Sequence, residues 1–142
     1  MSESLPAVRT FLDAFGRKDV DAALAVVDDA VTVTVHPLGV AGGGIADLRT
    51  VLTDIVTAFP DLRVTVAGIL DTPPSVTAEF TVEGTQAADY VGVINQEKHL
   101  DVDQAWQFAV ADGRITDVRA YWCQAQLYRR LAVKRFDQIA IV

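Results

Sequence analysis

Long stretches of alternating apolar and polar residues fill the second half of the chain and constrain its fold more than any other feature. Strict alternation is typical of strands that bury one face. In the longest stretch, from His99 to Val110, the inward set would be Leu100, Val102, Gln104, Trp106, Phe108 and Val110. Turn residues at Asp71–Pro74 and Asp112–Gly113 separate neighbouring stretches. The pattern predicts a meander of antiparallel strands over residues 62–70, 76–83, 99–110 and 114–122.

The first half of the chain predicts three helices around one strand. Apolar residues recur at spacings of three and four along Leu5–Phe15 and Leu48–Phe59, which is the period of an amphipathic helix. Asp19 is a suitable N-cap for a short second helix that uses Val20, Leu24 and Val27. Val31–Val35 alternates and predicts a strand that ends at His36-Pro37. The remaining predictions are a flexible glycine-rich connection over 39–44, a long loop over 84–98 and a final helix over 124–133.

Composition excludes several classes of protein. A length of 142 residues favours a single domain that spans residues 1–142. A hydrophobic content of 51% excludes intrinsic disorder. The net charge of −7, from 12 basic and 19 acidic residues, argues against binding to nucleic acid. One cysteine excludes a disulfide within the chain. We find no apolar run long enough to cross a membrane and no leader pattern, so we expect a cytoplasmic protein with no membrane partner.

Helices that lie on one face of an antiparallel sheet define an α+β fold. A strongly curved sheet with helices on its concave side would enclose a pocket between the two layers. The chain is long enough to build such a pocket.

The order of these elements resembles the nuclear-transport-factor-2-like superfamily, whose members fold as a cone-shaped curved sheet with helices on the concave side. Ala58–Leu62 and Gly84–Gln86, followed by Tyr90–Val93, resemble the SnoaL-type polyketide cyclases. The segments that resemble the ketosteroid isomerases are Val33–Gly39, Gly113–Ile115 and Ala120–Trp122. The resemblance covers roughly Val8 to Leu131.

The chain departs from both groups at the positions that handle protons. The aspartate that serves as the base in the isomerases matches His36, and their oxyanion tyrosine matches Phe11. Their second oxyanion donor, a protonated aspartate, falls near Trp106 or Gln104. The acid/base aspartate of the cyclases matches Ala120. The resemblance therefore implies a related pocket without the usual carboxylates.

His36 is the leading candidate for the acid or base. An unperturbed imidazole has a pKa of about 6.5 and exchanges protons near neutral pH. At the inner end of a strand, His36 would face the pocket and replace the missing aspartate as the acid or base. The alternative is a histidine that packs beside the strand end and bonds a backbone carbonyl.

Trp106 and Gln104 are the candidates for stabilising negative charge on a substrate. Both carry N–H donors that suit a developing oxyanion. The alternative for Trp106 is an ordinary core aromatic. If the strand register slipped by one residue, Asp103 would enter the pocket instead and become a rival acid/base.

A third group of residues is predicted to shape an apolar pocket. Trp122 offers a flat indole that suits a polycyclic or aromatic ligand, although a core role is equally compatible with the pattern. The predicted ligand-binding residues are Phe11, Phe15, Phe59, Phe80, Tyr90, Val118, Ala120 and Trp122.

The resemblance implies a cofactor-independent cyclase or isomerase that acts on an apolar cyclic metabolite of polyketide-type secondary metabolism, such as antibiotic biosynthesis. No ligand spacing suggests a metal site, and no motif suggests a nucleotide or flavin. The alternatives are a small-molecule-binding protein that has lost catalysis, and a hydroxylase or epoxide-opening relative. The resemblance also implies a homodimer.

Overall fold

A six-stranded curved sheet dominates the computed structural model, which describes residues 4–133. Its strand order is β2-β1-β6-β5-β4-β3. The predicted α+β fold is confirmed. In chain order the elements are α1 (Ser4–Gly16), α2 (Val20–Leu24), β1 (Val27–Val35), a 3₁₀ turn (His36–Leu38), β2 (Val40–Gly43), α3 (Ile45–Ala58), β3 (Arg63–Thr72), β4 (Ser75–Thr85), β5 (His99–Ala111), β6 (Arg114–Trp122) and α4 (Gln124–Arg130).

The strand β1 departs from the prediction in its start and in its pairing. It begins at Val27, which was predicted to belong to the second helix, because the backbone at this point pairs with β6. Ile115 N–H donates to the Val26 carbonyl at 2.8 Å. β1 and β6 run parallel, whereas the other neighbouring strands of the described residues run antiparallel. A parallel pair requires a long connection, and here the rest of the sheet supplies it.

The glycine-rich segment after β1 is ordered as a strand rather than a flexible connection. The positive φ of Gly39, 72°, turns the chain back after the 3₁₀ turn. β2 then pairs with β1, with Val40 opposite Val35 and Gly43 opposite Val33. This pairing makes β2 one edge of the sheet.

The predicted alternation along β5 is confirmed. All six residues of the predicted inward set, Leu100, Val102, Gln104, Trp106, Phe108 and Val110, are buried. Asp103 points to the outer face, where it accepts a hydrogen bond from Thr81 Oγ1 at 2.8 Å. The register is therefore the one that places Gln104, and not Asp103, on the inner face of the sheet.

The two segments that resemble the cyclases contact each other. Asp61 Oδ1 accepts a hydrogen bond from Thr85 N–H at 2.8 Å, and Ala87 N–H donates to the Ala58 carbonyl at 2.7 Å. A Cβ at Gly84 would lie 2.9 Å from the Cβ of Phe59, so only glycine fits against this aromatic residue. These segments join the end of α3 to the end of β4.

The loop between β4 and β5 is closed at its base and folded over the end of α3. Gln86 N–H donates to the Lys98 carbonyl at 3.0 Å, and Gln86 Nε2 donates to the Val93 carbonyl at 3.1 Å. Tyr90 pairs with Val93 and packs edge-on against Phe59, with ring centroids 5.5 Å apart.

Within residues 4–133, none of the helices combines the length and the apolar character needed to cross a membrane.

Candidate active site

A hydrogen bond between Trp106 and Gln104 is the main polar contact on the inner face of the sheet. The two residues are two positions apart on β5 and are 1% and 5% exposed. Trp106 Nε1 donates to Gln104 Oε1 at 2.9 Å. Because an indole nitrogen can only donate, it fixes the Gln104 amide with Oε1 towards the indole and Nε2 away from it. Among the described residues, Nε2 has no hydrogen-bond partner and is free to donate.

A second tryptophan–glutamine pair lies beside the first. Trp122 Nε1 donates to Gln124 Oε1 at 2.7 Å. Trp122 stands opposite Gln104 across the β5–β6 pair, and Ala120 stands opposite Trp106. Trp122 is half-buried whereas Trp106 is buried, so Gln104 lies towards the more open end of the inner face.

Gln124 was not predicted as a site residue. The sequence signal for it is the spacing, because glutamine and tryptophan are two positions apart in both Gln104-Ala105-Trp106 and Trp122-Cys123-Gln124. In β5 this spacing places both side chains on one face. Gln124 instead begins α4, so the strand period does not place it beside Trp122.

Buried polar side chains are scarce in this fold. Within residues 4–133, and apart from the aromatic residues Tyr90 and Trp106, they are Ser4, Gln86 and Gln104, so the described core contains no buried carboxylate or imidazole. Gln86 holds the loop, and its Oε1 has no hydrogen-bond partner in the structure. In the described part of the chain, no group of three His, Cys, Asp or Glu side chains is placed to hold a metal ion.

Several predicted ligand-binding residues pack against one another around Trp106. The ring centroids of Phe11, Phe15 and Phe80 lie 6.0, 6.0 and 5.9 Å from that of Trp106, and Phe108 completes the cluster at 6.2 Å. All five aromatic residues are buried and belong to the hydrophobic core. Contact between these residues and a ligand stays a prediction, and the same is true of the buried residues Phe59, Tyr90, Val118 and Ala120.

The prediction that His36 faces the pocket is wrong. Val35 is the last inward residue of β1, at the level of Ala120, so the next side chain points to the outer face. His36 is exposed there and stacks on Tyr121, with ring centroids 4.7 Å apart. This position does not support a role for His36 as the base inside the cone.

Tyr90 is a buried residue of the β4–β5 loop. Burial raises the pKa of the Tyr90 hydroxyl, and the nearby carboxylate of Asp54 raises it further. Burial also raises the pKa of Asp54. Both effects favour the protonated form of the Tyr90 hydroxyl.

The curved sheet with helices on its concave side defines a nuclear-transport-factor-2-like fold. A sequence model of the family described as SnoaL-like polyketide cyclase matches residues 6–131. The chain belongs to this family, and the resemblance inferred from its motifs is confirmed.

Solved structures with this fold include three similar proteins. A proposed SnoaL-like polyketide cyclase from Jannaschia sp. CCS1 has a TM-score of 0.83 and 18% identity, and the match covers 94% of each chain. AclR, a proposed hydroxylase from Streptomyces galilaeus, has a TM-score of 0.80 and 20% identity over 93% of this chain and 82% of its own. IdmH, a proposed polyketide cyclase from Streptomyces antibioticus, has a TM-score of 0.79 and 18% identity over 93% of this chain and 100% of its own. No curated protein sequence matches this chain.

Proposed function

We propose that this protein is a cofactor-independent cyclase or isomerase that acts on an apolar metabolite of polyketide type, with the Gln104 amide as the group that holds the substrate oxygen. Membership of the SnoaL-like polyketide cyclase family supports the class of reaction. The observation that carries the assignment to Gln104 is its free Nε2 donor, fixed in place by the Trp106 indole.

A fixed amide donor stabilises the charge that develops on a carbonyl oxygen as it becomes an enolate or alkoxide. Such a donor is effective in a water-poor site because it needs no reorganisation during the reaction. Trp106 acts as a positioning residue, because its indole N–H already donates a hydrogen bond to Gln104. Trp122 provides an adjacent half-buried aromatic surface for a ring of the substrate.

The buried residues suggest which substrates suit this site. With no buried carboxylate or imidazole among residues 4–133, the site polarises a carbonyl more readily than it removes an unactivated proton. The best substrates are therefore poly-β-ketones, whose methylene protons between two carbonyls are already acidic. In the ring-closing step the methylene C–H bond breaks and its proton passes to water. The methylene carbon then bonds to a carbonyl carbon, the π bond of that carbonyl opens, and its oxygen takes up a proton from water, so that no proton is gained or lost overall.

The test is turnover of a panel of linear poly-β-ketones, followed by chromatography with mass detection. Ring closure keeps the mass or loses water, whereas a hydroxylated product gains oxygen and would favour a reaction of the kind proposed for AclR. We expect Gln104→Leu to lower the turnover number by roughly 100-fold. Gln107→Leu, on the outer face of the same strand, is the matched control. Equal turnover by Gln104→Leu and the wild type would refute the assignment.

Gln104→Glu separates the donor from the acceptor. Its carboxylate can still accept from Trp106 but has no proton to offer the substrate. We expect this variant to be inactive when ionised and to recover activity at acid pH, where the protonated carboxyl can donate. A pH profile identical to that of the wild type would contradict the role of the donor.

The absence of a buried acid or base in the described residues also favours a second function, a binding protein that keeps the cone without catalysis. Saturable binding of the same compounds without any product would support this function. If Gln104→Leu binds these compounds as tightly as the wild type does, the Gln104 amide does not hold the ligand in a binding protein either.

Assembly as a homodimer stays a prediction, as does the cytoplasmic location. The outer face of the sheet carries the stacked pair of His36 and Tyr121, and Tyr121 is 39% exposed. Light scattering at micromolar concentration tests the dimer, and a monomeric mass would refute it.

A further inference from the structure

An open groove lies between helix α1 and the edge strand β3, two strands from Gln104. Its volume is about 760 Å³, within the range of roughly 300–1,000 Å³ typical of small-molecule sites. Leu12 lines it from α1, Leu62 from the segment before β3, and Val64, Val66 and Ile69 from β3. The groove and the Trp106–Gln104 pair share no residue.

The floor of this groove is a part of the inner sheet face that the helices of residues 4–133 leave partly exposed. Val66 pairs with Phe80, whose side chain points into the core and is 1% exposed. Val66 itself is 44% exposed although it shares that face. α1 approaches β3 closely at Val64, where a Cβ on Gly16 would lie 3.6 Å from the Cβ of Val64. The structure thus leaves apolar inner-face surface open to solvent.

Three arginines, Arg9, Arg17 and Arg63, are among the residues that line the groove. Arg17 is already paired with Asp13 at 3.3 Å. Arg9 and Arg63 line the groove without an ion pair to any described residue. Glu83, which stands opposite Arg63 in the sheet, has His99 as its basic neighbour at 3.8 Å.

The acidic groups of the groove are both engaged. Asp13 pairs with Arg17, and Asp61 accepts the Thr85 N–H at 2.8 Å. Three arginines against two aspartates leave the groove positive on a chain whose net charge is −7. The free positive charges are therefore those of Arg9 and Arg63.

We propose that the α1–β3 groove is a second binding site and that it takes an amphipathic carboxylate, an apolar chain or ring that ends in a carboxyl group. Guanidinium groups bind carboxylates through paired, charge-assisted hydrogen bonds. The apolar body of the ligand would cover Val66 and Ile69, while the carboxylate binds Arg9 and Arg63. Charge complementarity and the uncovered apolar floor select this class over a neutral or a cationic ligand.

The test is titration with octanoate, followed by backbone amide chemical shifts. We expect a Kd of roughly 1 mM or tighter. The shifts should be largest at Val64, Val66 and Ile69. Octan-1-ol, which has the same apolar body without the charge, should bind at least tenfold more weakly. No binding of octanoate at millimolar concentration, or equal binding of the alcohol, would overturn the proposal.

Variants locate the site. We expect Arg9→Gln combined with Arg63→Gln to weaken octanoate binding at least tenfold. The matched pair Arg49→Gln with Arg119→Gln removes the same charge from exposed ion pairs elsewhere and should bind as the wild type does. Val66→Asp places a negative charge on the floor and should abolish binding.

The variant Gln104→Leu separates this proposal from the catalytic one. Octanoate binding should be unchanged in Gln104→Leu, whatever its effect on turnover. If Gln104→Leu weakens binding and the arginine pair does not, octanoate binds inside the cone and the groove is not its site.

Discussion

The imidazole of His36 lies nearly parallel to the phenol ring of Tyr121, with an angle of 18° between the planes. Tyr121 stands opposite Ala105 on β5, whereas its neighbours Ala120 and Trp122 stand opposite Trp106 and Gln104. The stack therefore lies on the outer side of the sheet, across the backbone layer from the Trp106–Gln104 pair.

Replacing His36 by alanine should leave ligand binding and turnover unchanged. An exposed stacking contact stabilises a fold by at most about 1 kcal/mol, so the midpoint of thermal unfolding should change only slightly. Assays of product formation and circular dichroism melting curves measure the two effects. A large loss of turnover with an intact fold would restore His36 as a catalytic candidate.

Replacing Gln104 by leucine should destabilise the protein although leucine is the more apolar residue. The substitution leaves the buried Trp106 N–H without an acceptor, which costs about 1–3 kcal/mol. Combining Gln104→Leu with Trp106→Phe removes both partners, so the two losses should be less than additive by about 1 kcal/mol. Urea unfolding of the two single variants and the double variant measures this coupling. Strict additivity would show that the hydrogen bond contributes nothing.

Replacing Gly84 by alanine should destabilise the junction between α3 and β4. The new Cβ would lie 2.9 Å from Phe59 Cβ, and relieving this contact costs about 1–3 kcal/mol. Gly68→Ala on β3 is the matched control, because a Cβ there meets nothing within 4 Å. Thermal unfolding compares the two variants. A melting temperature for Gly84→Ala equal to that of the control would contradict the close contact.

The hydrogen bond from Thr85 N–H lowers the pKa of Asp61 below its ordinary value of 3.8. A carboxyl group whose pKa is lower in the folded state than in the unfolded state stabilises the folded protein at any pH above its unfolded-state pKa. This stabilisation is lost as the pH falls through the folded-state pKa. The difference in melting temperature between the wild type and Asp61→Asn should therefore shrink as the pH falls below 3.8. Asp101→Asn, at an exposed side chain of β5, serves as the control. A difference that is constant with pH would refute this linkage.

The period of the sequence predicted most of the sheet because every second residue of β4 and β5 enters one core. The same alternation predicts the orientation of the His36 side chain. Val31, Val33 and Val35 are all buried, so the next side chain points outwards. The resemblance to the isomerases predicts that His36 points into the pocket, and this prediction is wrong, whereas the orientation predicted from the local alternation is correct. Strand β2 was missed because Val40–Gly43 is short and rich in glycine.

The orientation of the Gln104 amide could not be predicted from the sequence. It depends on side-chain rotamers that bring Trp106 Nε1 within 2.9 Å of Oε1, and the period of a strand fixes only the face. The α1–β3 groove was missed for a similar reason. Val66 has the pattern of a core residue, and its exposure follows from where α1 crosses the sheet.

The hydrogen bond between Gln86 N–H and the Lys98 carbonyl closes the base of the β4–β5 loop. The residues that it encloses are joined to the sheet through this closure, the Ala58–Ala87 hydrogen bond and the packing of Tyr90 on Phe59. The loop can therefore be exchanged as a cassette between these anchors. A library of loops grafted at 94–97, which keeps Tyr90 and Val93, would change the surface beside the end of α3, while the strands that carry Gln104 keep their register.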